Sequence, residues 1–496
     1  MKLIINGQVK PYYIQMLAML FFPGEKFPEG ENADDVRRAE LDVRFDGEVA
    51  HASAIVTSDG KTASADILLA RDGVPEEKTA QLALGGAFFD ACIKLTGHTP
   101  PWGMLTGVRP AKLALELLCQ GLEREDAVRY FENIYKTSPE KARLAVSGAE
   151  SSKRIITPER ERECSLYVAI PFCPTRCSYC SFVSYTSPKL LAMIPEYLEV
   201  LRGDIRHTLS VIRSLGLRLA SIYIGGGTPT VLNAEQLEIL LSELHEASLG
   251  TDEFTLEAGR PDTIDAEKLA VAKKYGVTRV SVNTQTLNDE VLRNIGRSHS
   301  TDDFFRAYET AREAGFRDIN VDLIAGLPGD TLESFVSSVD RVRQLRPTDI
   351  TVHTFSVKKS AEVKTECLDV YDRDGDVAAE CVRYSADSLM SAGYIPYYMY
   401  RQKNTVGNLE NVGYSLSGHE GLYNVFMMDE VHSVFACGAS SVTKLVGKMP
   451  TGERVIRRLC EPKYPYEYLR ADETAREAKR NETEKEVRDF YSKYRI

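Results

Sequence analysis

Three cysteines stand close together in the run CPTRCSYC: Cys173, Cys177 and Cys180, with gaps of three and two residues between them. Thiolates are soft ligands, so clustered thiols in a reducing compartment read as ligands rather than as bridges. At this spacing they can grip three irons of a cubane cluster and leave the fourth iron without a protein ligand. An open coordination position is what distinguishes a catalytic metal centre from a closed structural one. The alternative is a zinc site, which ordinarily takes four ligands, often as two CxxC pairs. No second pair occurs, and Cys164 lies before the apolar run that leads into the loop. The other seven cysteines are scattered and read as small buried apolar side chains.

The loop, stiffened by Pro171 and Pro174, follows the apolar run LYVAI (166–170). Five similar runs come after it: SIYIG (221–225), EFTLEA (253–258), RVSVN (279–283), INVDLI (319–324) and DITVHTF (349–355). Between them lie helical patterns such as AEQLEILLSELHEA and TLESFVSSVDRVRQL. Strand–helix alternation six times over predicts a parallel sheet with crossover helices. Such a sheet places its chemistry at the carboxyl ends of its strands, where the cysteine loop also falls.

The flanking regions read differently. Residues 1–160 form an α+β unit: LDVRF (41–45) and HASAIV (51–56) predict antiparallel strands around Asp46-Gly47, with a second turn at Asp59-Gly60. The segment TAQLALGGAFFDACIKL is helical, and the spacing of Val128, Phe131, Ile134 and Tyr135 predicts a helix that ends near Ser138-Pro139. There a new helix begins, with Ser138 as N-cap. Residues 161–360 are the core, and 361–496 a mixed region covering the substrate. In that region YIPYYMYRQKN and YNVFMM suggest strand and SADSLMSAG a helix. The final stretch, DETAREAKRNETEKEVRDFYSKY, predicts a mixed-charge, solvated helix. A net charge of −11 argues against nucleic acid as partner. The start MKLIINGQVK turns polar too early for a secretion signal, and the apolar stretch Met16–Phe22 is too short to span a bilayer. A cytoplasmic location is expected.

The CxxxCxxC loop after the first strand, with Tyr179 and Phe182 flanking Cys180, resembles the radical S-adenosylmethionine (SAM) superfamily. The resemblance implies a partial (β/α)6 TIM-like barrel, a 4Fe-4S cluster on Cys173, Cys177 and Cys180, and SAM chelating the open iron. GGGTPT (225–230), at the end of the second strand, is similar to the SAM-binding glycine motif of the oxygen-independent coproporphyrinogen oxidase branch. The branch places Gly226, Gly227, Thr228, Glu257, Gln285, Arg297 and Asp322 at SAM-contacting positions, and Tyr167, six residues before Cys173, near a SAM. His299 has a structural reading alongside a ligand one. The run TLEAGRPDTI departs from the branch, which commonly has Asn-Pro where Gly259-Arg260 stands. A further departure is Phe182, where the better-known oxidases carry an additional cysteine.

TGVRPAKL (106–113) and YRQKNTVGNLENVGY (400–414) extend the likeness to the HemZ-type coproporphyrinogen dehydrogenases. That implies anaerobic oxidative decarboxylation of coproporphyrinogen III propionates to protoporphyrinogen IX in haem biosynthesis, with reduced flavodoxin or ferredoxin as electron donor. A tetrapyrrole with four carboxylates calls for a basic, aromatic pocket. Arg401, Lys403, Lys358 and Lys359 are the candidate cations, each also readable as a surface charge, and Tyr397, Tyr398 and Tyr400 the candidate rings. Related proteins with the same cysteine loop are haem chaperones, so a haem-binding carrier with a cluster is the second reading.

Overall fold

The computed structural model describes all residues except 28–36, 108, 181–184, 357–374, 403–404 and 495–496. They divide into two compact units, Met1–Ser147 and Gly148–Ile496.

In the first unit, strands β1 (Lys2–Asn6), β2 (Arg37–Asp46), β3 (Val49–Ser58) and β4 (Lys61–Ala70) form one sheet in that order. β1 lies parallel to β2, while β2, β3 and β4 are antiparallel. Asp46 pairs with Val49 and Ser58 with Lys61, so both expected turns are present. Asp59 and Gly60 adopt positive φ, which a two-residue hairpin turn requires. Along β3 the residues Ala50, Ala52, Ala54 and Val56 are buried, the period-2 pattern of a strand with one face covered. The helix Glu76–Thr96 packs on β3 and β4. Phe88, Phe89 and Cys92 on this helix are fully buried. At Ser138-Pro139 the hydroxyl of Ser138 accepts from the Lys141 N–H at 3.3 Å, opening the helix Pro139–Ile155.

The second unit is built on an eleven-stranded sheet. Its strands are β5 (Glu163–Ile170), β6 (Arg218–Gly226), β7 (Glu253–Leu256), β8 (Arg279–Ser281), β9 (Asp318–Ala325), β10 (Asp349–Thr354), β11 (Ile395–Arg401), β12 (Glu410–Ser415), β13 (Ser433–Cys437), β14 (Val442–Lys448) and β15 (Arg454–Cys460). The order is β11-β12-β10-β9-β8-β7-β6-β5-β13-β14-β15. β5 to β10 are all parallel neighbours, as the six apolar runs predicted. Helices Ile194–Ser214, Ala234–Ser248, Ala266–Lys274, Thr301–Glu313 and Leu332–Gln344 are the crossovers. Each buries an apolar stripe, for example Leu237, Leu240, Leu241 and Leu244. On the β10 side the antiparallel pair β12 and β11 continues the sheet, and on the β5 side β13 joins in parallel.

One expectation for the last region is corrected. YNVFMM lies in a helix, Leu422–Asp429, not in a strand. The carboxylate of Glu253 accepts from the N–H groups of Leu422 (2.8 Å) and Tyr423 (3.3 Å), satisfying two of the donors that a helix start leaves free. Val425 and Phe426 are buried, so tertiary partners override the β-leaning local composition. SADSLMS is helical and IPYYMYR forms β11, as expected. The helix Glu473–Lys493 is charged along most of its length but buries Val487 and Phe490. Among the described residues no helix is long and apolar enough to cross a membrane.

Candidate functional site

The cysteine loop is tied down at several strand ends. Gly227 N–H donates to Ile170 O at 2.8 Å and Thr228 N–H to Phe172 O at 2.7 Å, which joins the ends of β5 and β6. Gly227 has to be glycine for this closeness: a Cβ there would lie 2.4 Å from Phe172 O. Gly226, at φ +110, supplies the bend before it. Further along the loop, Cys173 N–H donates to Tyr185 O at 3.1 Å and Ser178 N–H to Ile295 O at 3.0 Å. Thr175 Oγ1 donates to Gly296 O at 3.2 Å.

Cys173, Cys177 and Cys180 are half-buried and form no disulfide. Cys173 Sγ lies 3.4 Å from Thr228 Oγ1, and Cys177 Sγ accepts from Arg260 Nη1 at 3.7 Å. Among the described residues no three His, Cys, Asp or Glu side chains, the three cysteines included, converge closely enough to hold a single metal ion. Three soft donors on one loop suit three irons of a cubane.

Next to the loop, polar side chains gather at the carboxyl ends of β7 to β10. Glu257 is half-buried, and loss of solvation followed by repulsion from Asp322 raises its carboxyl to about 7, against hydrogen bonds from Tyr223 and Gly226 N–H. Asp322 accepts from Asn283 Nδ2 and from Asn320 Nδ2, each at 2.8 Å, and its N–H donates to Asn283 Oδ1 at 3.2 Å. His353 Nε2 stands 3.6 Å from Asp322 Oδ2, and Tyr400 Oη lies 3.4 Å from His353 Nδ1. Gln285 is buried at φ +73; its N–H donates to Asp322 O and its carbonyl accepts from Ile324 N–H, both at 2.9 Å. Two neighbouring carboxylates, Glu257 and Asp322, suit a ligand carrying an ammonium, a sulfonium and ribose hydroxyls. SAM has those groups.

Tyr167, Tyr223 and Tyr423 stack beneath. Their ring centroids are 6.1 Å apart for Tyr167–Tyr223, 6.2 Å for Tyr167–Tyr423 and 4.5 Å for Tyr223–Tyr423, with interplanar angles of 19°, 20° and 24°. Burial pushes all three phenols up, so they stay neutral. Further down, Arg279 sits among Asp349 (3.1 Å), Glu253 (3.4 Å) and Asp318 (3.6 Å), all nearly inaccessible. Burial first, and then neighbouring carboxylates, raise Asp349 to about 7 against the pull of Arg279. His419 Nδ1 lies 2.6 Å from Asp318 Oδ1.

Other expected residues have internal partners. Arg297 donates to Tyr179 Oη (3.0 and 3.3 Å), Gly259 O (3.1 Å) and Asn283 O (3.1 Å), so it ties the loop to strand ends. His299 is buried, burial followed by Arg297 lowers it to about 3, and its two buried ring nitrogens have no hydrogen-bond partner among the described residues, unlike the hydrogen-bonded structural histidine of the first reading. Arg401 is corrected from a surface charge to a buried one: it is 4% exposed, donates to Asn408 O at 3.1 Å, and burial lowers it to about 10. Tyr397 donates to Asp349 at 2.7 Å within the core, whereas Tyr398 and Tyr400 stack at 6.3 Å toward His353. Lys358, Lys359, Lys403 and Phe182 lie outside the described residues.

Sequence reasoning missed Asn283, Asn320, His353, Tyr223, Tyr423 and the Arg279 cluster. A signal was available in the alternation Asp318–Asn320–Asp322 and Asp349–Thr351–His353, because every second residue of a strand shares a face.

Residues 167–342 match the sequence profile of the Radical SAM superfamily. The chain is 36% identical over 379 residues to the oxygen-independent coproporphyrinogen-III oxidase-like protein HemZ of Bacillus subtilis (strain 168), with 75% of each chain covered. It is 38% identical over 197 residues to the heme chaperone HemW of the same organism, over 39% of this chain and 51% of that one. Among solved structures, coproporphyrinogen III oxidase (HemN) from Escherichia coli shares 23% identity at a TM-score of 0.46, over 64% of this chain and 70% of that one. The cysteine loop, the parallel strands beneath it and the long match to HemZ lead to one conclusion: the chain belongs to the radical SAM superfamily, in the branch of the oxygen-independent coproporphyrinogen-III oxidase-like proteins.

Proposed function

We propose that this chain oxidatively decarboxylates propionate side chains of coproporphyrinogen III without oxygen, giving the vinyl groups of protoporphyrinogen IX and releasing carbon dioxide. The observation that carries the reading is the joining of the three-thiol loop to the polar strand ends that hold Glu257 and Asp322. The likeness to HemZ over three quarters of the chain supports the choice of substrate.

A propionate C–H bond has no acidic proton for a base to remove. When bound, the 4Fe-4S cluster and SAM would supply a primary carbon radical strong enough to take that hydrogen, and loss of carbon dioxide would then leave one electron per propionate to pass to an external one-electron acceptor. Cys173, Cys177 and Cys180 hold the cluster in this reading. Glu257 and Asp322 face the cationic and ribose parts of SAM, and the main chain at Gly226, Gly227 and Thr228 its amino-acid end. Gln285 closes the same pocket, and Arg297 keeps Tyr179 and the loop in place. Tyr167 and its two stacked partners form a dry wall that excludes water and withholds protons. In this reading the described part of the region after β10 covers the substrate, and Tyr398, Tyr400 and His353 line its approach. Arg401 braces the end of β11, with Lys403 beyond it in the sequence.

The test is anaerobic reconstitution with iron and sulfide, followed by dithionite, SAM and coproporphyrinogen III. Formation of 5′-deoxyadenosine together with protoporphyrinogen is expected. Deoxyadenosine without porphyrin product would point to another substrate. Stable haem binding with neither product would favour a carrier role, the reading that the match to HemW supports.

A further inference from the structure

The segment after β7 carries Gly259-Arg260-Pro261, and its backbone turns sharply there. Gly259 has φ +51, its N–H donates to Ser281 O at 2.9 Å, and a short 3₁₀ turn, Pro261–Thr263, follows. This turn directs the Arg260 side chain into the cysteine loop. The guanidinium is 3% exposed. Nε and Nη2 donate to the two oxygens of Asp262, both at 3.0 Å. Nη1 points the other way, to Cys177 Sγ at 3.7 Å and Thr175 O at 3.5 Å. A buried cation is costly unless it is paired, and Asp262 does the pairing. Of the three N–H groups left, one on Nη1 reaches the Cys177 sulfur.

We infer that Arg260 is a positioning and tuning residue for the cluster: through its contact with the Cys177 thiolate it makes the cluster easier to reduce. This rests on the assignment of Cys177 as a cluster ligand. Reduction adds one negative charge to the cluster. A guanidinium at a ligand sulfur lowers the energy of that added charge, and an N–H···S hydrogen bond acts in the same direction. Low exposure keeps water from screening the effect. Asp262 opposes it in part, so the two residues act on the cluster with opposite signs. Arg297 faces the same loop, but its donors go to Tyr179, Gly259 and Asn283 oxygens.

The test is an anaerobic redox titration of the reconstituted full chain, followed by the electron paramagnetic resonance signal of the reduced cluster. Arg260→Met should lower the midpoint potential by about tenfold in the reduction equilibrium, about 59 mV for a one-electron couple. Arg260→Lys should fall between Met and wild type, and Asp262→Asn should move the potential upward. If Arg260→Met does not retain iron, Arg260→Lys and Asp262→Asn decide the matter through their opposite signs. Potentials equal to wild type in both, or shifts of the same sign, would overturn the inference and leave Arg260 as a loop brace. A reconstituted wild-type chain without any cubane signal would instead remove the cluster assignment itself.

Discussion

Arg297 and Tyr179 are joined by two hydrogen bonds, 3.0 and 3.3 Å long, although 118 residues separate them in the chain. The guanidinium also holds Gly259 O and Asn283 O, so one side chain clasps the cysteine loop and the ends of β7 and β8. Removing the hydroxyl leaves a buried charged donor unsatisfied. Tyr179→Phe should therefore cost about 1–3 kcal/mol in denaturant unfolding. An unchanged midpoint would mean that the clasp carries no load.

Gly227 tests the other side of the loop. A methyl group there meets Phe172 O at 2.4 Å, and both are backbone-linked, so neither can rotate away. Gly227→Ala should cost about 1–3 kcal/mol of strain and displace the segment that leads into Cys173. The measurement is iron and sulfide content after anaerobic reconstitution, which should drop well below wild type.

Glu257 should make SAM binding depend on pH. Its carboxyl is raised to about 7 by burial and by Asp322, so without ligand the folded protein holds a proton there below that pH. A cationic ligand prefers the ionised form, and ionisation grows as pH rises. Affinity for SAM should be roughly tenfold tighter at about pH 8 than at about pH 6. Isothermal titration calorimetry would show this, and Glu257→Gln should give a weaker, flat profile. Weakening with rising pH in the wild type would contradict the assignment.

The cluster beneath predicts the pH dependence of stability. Asp349 has an ordinary value of 3.8 and is raised to about 7 in the fold, mainly by burial. The folded state thus binds a proton that the unfolded state has already lost between these values. Its contribution to stability is fully present below about pH 4 and is lost as pH rises through about 7. Asp349→Asn should flatten that part of the profile in denaturation experiments. Arg279→Met should be far more damaging, about 3–5 kcal/mol, because three buried carboxylates would lose their common cation.

Much of this organisation was legible in the sequence. The six runs became β5 to β10 because their apolar residues, such as Ile319, Val321 and Leu323 in β9, recur at every second position and are buried on one face. The two hairpin turns rest on Gly47 and on Asp59-Gly60, which take φ > 0 as Gly and Asp tolerate. YNVFMM misled because its helix depends on Glu253, 169 residues away from Leu422. No local window contains that partner.

Spacing along the chain was enough to single out Cys173, Cys177 and Cys180, since ligands on one loop are local by nature. It also brought out Gly226, Gly227 and Glu257 as strand-end residues. Which of the polar residues face one another was decided only in three dimensions. Folding turned Arg401 inward, bound Arg297 to Tyr179 and brought Arg260 to Cys177. A charged side chain reads as exposed until its buried partner is known, and those partners lie on strands far apart in sequence and adjacent only in the sheet.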